Sequence, residues 1–298
     1  MSLPIVWHPD YVAPLRPGHR FPMSKYGYLR DVLARRGLLP EAGGYIAPAP
    51  APLRQIAAVH EIGYAERVFG ARLTRAEEKR IGLPGSDTIA RRARLSASGT
   101  LLAGRLALEH GLAGSGAGGS HHAGPEGGAG FCVFNDVAVA AQALLDEGIV
   151  RNIVVVDLDV HQGDGTARIF AKEPRVFTFS LHAAKNYPME KAQSDLDVAL
   201  QDGTEDAFYL KVLEQNLEAL PQADLAFFNA GVDPYQGDRL GRLSLTEEGL
   251  RARDRAVFRW ARSRHLPLAF ALGGGYDRDP WALAARHANT FEEAATWL

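Results

Sequence analysis

Four short apolar runs dominate the second half of the chain: IVVV (153–156), VFTFSL (176–181), LAFFNA (225–230) and LAFAL (268–272), set between polar, helix-patterned stretches. Such runs are too short for buried helices and too uniformly apolar for half-exposed strands, so they suit parallel strands covered on both faces. The segments between them carry helix signals. One helix is expected from about Val137 to Asp146, capped by Asn135 and stopped before Gly148. Another is expected from Ser244, with Glu247 completing a capping box, to about Arg264. This alternation predicts an α/β fold, a parallel sheet with helices on both faces.

The 298 residues, 46% of them hydrophobic, are enough for one large core, and a single domain over 1–298 is expected. Residues 1 to about 115 read as irregular and then helical, with a helix around Ser24–Arg36, a loop at APAPAPLR (47–54) and a charged helical stretch from Thr74 to Arg80. By composition alone, GSGAGGSHHAGPEGGAG (114–130) is a linker, yet it holds two adjacent histidines. Lys+Arg 33 against Asp+Glu 35 gives a net charge of −2 and no basic stripe, so no nucleic-acid partner is implied. The one cysteine, Cys132, excludes an intramolecular disulfide and a thiolate zinc cluster, and fits a reducing compartment. No apolar run approaches the ~20 residues of a membrane span, and the N-terminal stretch lacks a signal-peptide core. A soluble, cytoplasmic protein is expected.

Polar residues follow each apolar run: DLDVHQGDG (157–165), SLH (180–182), NAGVD (229–233) and GGGY (273–276). Ligands of open α/β sheets bind outside the carboxyl ends of the strands, so these four ends should converge on one site. Asp159, His161 and Asp233 offer two carboxylates and an imidazole, a set that suits a divalent ion such as zinc and leaves positions open. Residues i and i+2 of an extended segment point to one side, which lets Asp159 and His161 reach the same ion. Taken singly, each motif reads more readily as a cap or turn than as a metal site; taken together at matching strand ends, they point to a metal. Amide hydrolysis beside such an ion needs a base for the water proton and an acid for the leaving amine. His121 and His122 can supply both, with Asp157 and Asp164 as the carboxylates that fix their tautomers. Without the strand-end motifs the pair would read as exposed histidines in a glycine-rich loop. Tyr276 follows three glycines, and its phenol either caps a core strand or donates to a developing oxyanion. A donor of the latter kind contributes about 2.7 to 4 kcal/mol.

GSHHAGPEGGAGFCVFND, DLDVHQGDG, NAGVDPYQGDRLGRLSLT and GGGY, in that order, resemble the zinc-dependent histone deacetylases and their bacterial relatives of the arginase/deacetylase fold. The resemblance runs from HPDY (8–11) and GHRFPMSKY (18–26) to HANTF (287–291), nearly the whole chain. Gln162, where many members have a second histidine, and GDRLG (237–241) look most like the class IV branch. The resemblance implies Asp159, His161 and Asp233 as ligands of zinc, or of iron(II) in its place. It implies His121 and His122 as the catalytic pair backed by Asp157 and Asp164, Tyr276 as the carbonyl-polarising residue, and Gly130 and Phe131 as one wall of a tunnel for an acyl-lysine chain. It further implies a structural potassium near Asp157, Asp159, Ser180 and Leu181.

The implied reaction is removal of an acyl group from N-acyl-lysine by a metal-activated water. Small acylated amines such as acetylpolyamines are the alternative substrates, and a non-catalytic acyl-ligand or partner-binding protein is a third reading. Arginase-type chemistry would need two metals, and only one ligand set is visible. Members acting on histone tails carry a rim aspartate; VHEIGY (59–64) has none. The far tunnel wall falls on HAAKNYP (182–188), at Tyr187 or Pro188. The sequence gives no handle on oligomeric state, acyl-chain length or physiological substrate.

Overall fold

All four apolar runs become strands of one sheet in the computed structural model, which describes residues 2–39 and 44–298. The elements in chain order are β1 (Ile5–Val6), α1 (Lys25–Arg35), α2 (Leu53–Ile56), α3 (Ile62–Phe69), α4 (Arg75–Ile81), α5 (Asp87–His110), β2 (Leu112–Ser115), α6 (Asp136–Asp146), β3 (Ile153–Asp157), α7 (Asp164–Phe170), β4 (Val176–Ala183), β5 (Leu196–Leu200), α8 (Asp206–Ala219), β6 (Leu225–Asn229), α9 (Glu247–Ser263), β7 (Leu268–Ala271) and α10 (Pro280–Ala295). Among the described residues the sheet has seven strands in the order β1-β2-β7-β6-β3-β4-β5, every pairing parallel. Strands β3, β6 and β7 are buried along their whole length, as their unbroken apolar character requires once helices cover both faces. The long α5 packs on β1, β2, β7 and α6, while α1, α10, α9 and α8 touch one another in series.

The glycine-rich stretch is no linker. Its first residues belong to β2, which pairs with β1 on one side and β7 on the other. A Cβ at Gly114 would lie 2.4 Å from the Phe270 ring and 2.8 Å from that of Phe291, so small residues here let two aromatic rings close against the strand. Two capping assignments change. Helix α9 begins at Glu247, not Ser244, because Thr246 is the cap: its Oγ1 accepts from Gly249 N at 2.9 Å. The reciprocal capping box forms instead at Thr74 and Glu77. Asn135 caps α6 as expected, accepting from Ala138 N at 3.0 Å.

Register decides where the chemistry collects. Asp157, the last residue of β3, stands opposite Ser180 of β4 and Asn229 of β6. The segments 158–164 and 230–233 therefore leave the sheet side by side, at the carboxyl edge. No described helix is long and apolar enough to cross a membrane.

Candidate active site

Asp159, His161 and Asp233 lie in the first residues beyond β3 and β6, and one donor atom from each falls within 4.8 Å of the others. All three are buried. Backbone amides pre-orient them: Val160 N donates to Asp233 Oδ1 at 2.9 Å, and Gly274 N donates to Asp159 Oδ2 at 2.6 Å. Asp233 Oδ2 is buried without a well-directed hydrogen bond, an orphan oxygen of the kind that a cation satisfies. His161 Nδ1 lies 2.9 Å from Asp159 and 3.2 Å from Asp233. Burial opposes a charge on this imidazole, but the two carboxylates outweigh it and raise its pKa to about 10. A proton shared between two acids and a divalent ion answer the same electrostatic demand, so this donor set fits a metal.

Both histidines of the glycine-rich loop face this cluster. His121 Nδ1 is 2.7 Å from Asp157 Oδ2, and His122 Nδ1 is 2.6 Å from Asp164 Oδ1, so each carboxylate fixes the tautomer and leaves Nε2 free. The rings are 4.1 Å apart. Their surroundings push them in opposite directions. For His121, burial is outweighed by the charges of Asp157 and Asp159, which raise it to about 9. For His122, burial and the neighbouring His121 charge lower it to about 3, against the pull of Asp164. Arg168 holds the far oxygen of Asp164 at 2.6 Å. The loop itself is gripped by the start of α6: Asp136 accepts from Ser120 N, Gly119 N and Thr100 Oγ1, and Asn135 Nδ2 donates to Ala123 O.

Tyr276, Phe131, Gly130 and the two histidines line one small cavity with Asp159 and His161, about 30 Å³ in volume. The Tyr276 hydroxyl has no hydrogen-bond partner among the described residues, and burial with the charges of Asp233 and Asp159 holds its pKa well above 10, which keeps it a donor. Gly130 and Phe131 form a wall, hung from the end of α4 by hydrogen bonds to Arg80 O and Ile81 O. Both have φ in the left-handed region, +53° and +67°. Gly130 has no room for a side chain, since a Cβ would sit 2.7 Å from His122 Cδ2; Phe131 bears a strained conformation that aims its ring. Tyr187 stands beside Gly130, its ring 4.8 Å from that of His122 at 89°. Ser180 and Leu181 sit in β4 beside Asp157.

Several supporting residues gave no signal in the sequence. Arg253 of α9 is fully buried and donates to Leu158 O and Gly231 O, tying together the two strand exits that carry Asp159, His161 and Asp233. Lys25 of α1 reaches Gly273 O at 3.1 Å and His287 Nε2 at 3.2 Å; burial lowers its pKa to about 8, against the pull of Asp233 and Asp159. Asn229 Nδ2 donates to Asp157 Oδ1 at 2.9 Å. Asp238 accepts from Tyr276 N at 2.6 Å, while Arg239 N donates to Tyr276 O at 3.0 Å, so the GDRLG loop clasps the tyrosine backbone from both sides. Lys25 and Arg253 read as charged positions on helices, and only the packing shows that they point inward.

The chain as a whole has counterparts among known proteins. Residues 19–291 match the histone deacetylase domain. The chain belongs to the histone deacetylase family. It is 31% identical to histone deacetylase 2 of Arabidopsis thaliana over 272 residues, 87% of this chain and 70% of that protein. It is 29% identical to a probable deacetylase of Archaeoglobus fulgidus over 301 residues, 91% of this chain and 80% of the relative. An uncharacterized protein of a Picosynechococcus strain shares 43% identity over 291 residues, 97% of either chain. The crystal structure of a histone deacetylase homologue from Aquifex aeolicus superposes with a TM-score of 0.81 at 22% identity, covering 99% of this chain and 84% of that one. At that identity the likeness carries the fold, which is that of the deacetylases; the family membership makes the protein a deacetylase-type hydrolase.

Proposed function

We propose that this protein hydrolyses the amide of an N-acylated amine, foremost a short-chain acyl-lysine side chain, within a single catalytic domain spanning 1–298. The observation that carries the reading is the histidine pair, each ring held by its own carboxylate, facing one cavity with Tyr276 beside the buried Asp159, His161 and Asp233 cluster. A cavity of about 30 Å³ has room for a few water-sized groups, which favours an acetyl group over a long chain. The family match and a single buried thiol at Cys132 suit a cytoplasmic hydrolase.

Asp159, His161 and Asp233 would hold zinc or iron(II), which when bound would polarise the acyl carbonyl and acidify a water. His122, neutral at working pH, takes a proton from the attacking water at Nε2 and returns it to the leaving nitrogen as the C–N bond breaks. His121, cationic and locked by Asp157, lends positive charge as the carbonyl oxygen becomes negative, and the Tyr276 hydroxyl donates to that oxygen. Phe131 and Tyr187 hold the alkyl chain of the substrate between them. The β3–β4 register that sets Asp157 beside Ser180, with Leu181 next in line, supports a potassium site there.

The test is hydrolysis of lysine substrates bearing acetyl, butyryl, octanoyl and myristoyl groups by the zinc-loaded protein, with acetylpolyamines alongside. Acetyl-lysine should be turned over best, and Tyr276→Phe should lower kcat by about 100- to 1,000-fold with metal content unchanged. Turnover confined to the polyamines, or equal turnover by the phenylalanine variant, would overturn the reading.

A further inference from the structure

A second depression, of about 480 Å³, adjoins the catalytic cavity, and Phe21 lines both. Its walls come from three separate segments: the stretch 12–24 that leads into α1, Arg239 of the loop clasping Tyr276, and residues 277–280 that follow Tyr276. These bring Arg16, Arg20, Arg239 and Arg278 to one rim, with His19 among them. All four arginines are exposed, and among the described residues none has a carboxylate within 4.0 Å. Elsewhere many surface arginines are paired: Arg30 with Asp31, Arg91 with Asp10, Arg175 with Glu173, Arg242 with Asp202. The one acid lining the groove, Asp277, is already engaged by Arg286 at 3.4 Å. In a chain of net charge −2, four guanidinium groups without an ion-pair partner among the described residues are a local excess of positive charge, with the nearby Asp279 occupied in capping α10 through Trp281 N and Ala282 N.

We propose that this groove selects acyl-lysines embedded in acidic peptide segments, whose carboxylates flank the modified lysine and dock on Arg16, Arg20, Arg239 and Arg278. The proposal rests on the deacylase reading and adds to it what lies outside the cavity. A guanidinium offers a planar pair of donors matched to a carboxylate, and several such groups around one mouth raise the local concentration of an anionic partner. The same charges repel cationic substrates, so basic tails and polyamines are disfavoured by the rim that recruits acidic segments.

The experiment compares three acetyl-lysine peptides of equal length, with aspartate, neutral or arginine flanks, on the zinc-loaded protein. At low ionic strength kcat/KM should be about tenfold higher for the acidic than for the neutral peptide and lowest for the basic one, and the spread should shrink as salt is added. Arg16→Glu/Arg20→Glu should reverse the order while leaving turnover of an uncharged small acetyl-lysine amide unchanged. Arg278→Glu alone should erode the acidic preference. Equal kcat/KM for the three peptides, or a basic preference, overturns the proposal. An acidic advantage confined to free acetyl-lysine, whose only anion is its own carboxylate, overturns the peptide assignment. Fluorescence anisotropy of the same peptides, labelled, on the Tyr276→Phe variant reads the rim without turnover. Preferential binding of the acidic peptide there supports the rim even if no peptide is hydrolysed, and indifferent binding overturns it.

Discussion

Replacing Gly274 with alanine tests the site at its narrowest point. The backbone there is not in the left-handed region, so alanine meets no torsional strain. The obstacle is space: its Cβ would lie 2.0 Å from Asp233 Oδ2 and 2.7 Å from Asp159 Oδ2. Real Cβ contacts essentially never fall under 3.0 Å, so the Asp233 oxygen must retreat by at least 1.0 Å (3.0 − 2.0). Metal–ligand distances tolerate only about 0.2 Å. The displaced carboxylate is lost to the ion unless the whole strand exit moves, and Arg253 ties that exit down. Loss of partners that merely orient a ligand already costs about 10- to 100-fold in metal affinity. Gly274→Ala should therefore weaken zinc binding by about 100-fold or more, roughly 2.7 kcal/mol. Competition against a graded series of chelators measures this directly, with circular dichroism and gel filtration to show that the variant is folded. A folded variant that binds zinc within threefold of the parent would refute the placement of Asp159 and Asp233 around one ion.

Other outcomes follow from the buried residues around the site. Lys25→Met leaves Gly273 O and His287 Nε2 without their donor, so it should lower stability by about 1 to 3 kcal/mol and weaken zinc binding through the Gly273–Gly274 strap; unchanged denaturant midpoint and zinc affinity would refute this. His60 lies away from the metal cluster, where its Nδ1 meets Gly124 O at 2.8 Å and its Nε2 accepts from Asn135 N. Burial lowers its pKa from 6.5 to about 4. Because the folded value is the lower one, the unfolded chain takes up the proton first: stability is whole above pH 6.5 and drains away between pH 6.5 and 4, by about 3 kcal/mol for this residue. Urea unfolding of the parent and His60→Gln at pH 7 and pH 5 should show a shallower pH dependence in the variant, and equal slopes would count against it.

The strand-end motifs were legible because apolar runs and the polar residues after them are local patterns, and β3, β4, β6 and β7 stand where those runs predict. Strand β1 has two residues, too few for any periodicity, and β2 looks like a linker because the rings of Phe270 and Phe291 demand glycine there. Strand β5 alternates in exposure, as an edge strand does, and its LDVAL pattern went unread. The first turn of α9 is ambiguous in the sequence because Ser244 and Thr246 are both good caps, and the contact with Asp206 selects Thr246. The histidine pair and its carboxylates were legible as residue types. The opposite directions in which the two rings are pushed were not, since they depend on burial, on the second carboxylate, Asp159, near His121 and on the His121 charge beside His122. Lys25, Arg253 and the arginine rim depend on contacts or surfaces assembled from distant segments.

Strand β7 follows every other strand in the chain, yet it lies in the middle of the sheet, between β2 and β6. Until β7 is made, the pairings of this sheet leave two separate groups, β1-β2 on one side and β6-β3-β4-β5 on the other, each with an edge that only β7 satisfies. Asp159, His161 and Asp233 belong wholly to the larger group, while the strap bearing Gly274 and Tyr276 arrives with β7. A nascent chain thus carries Asp159, His161 and Asp233 before Tyr276 and Arg278 are made. The proposed site is completed last, by the same strand that joins the two groups of strands into one sheet.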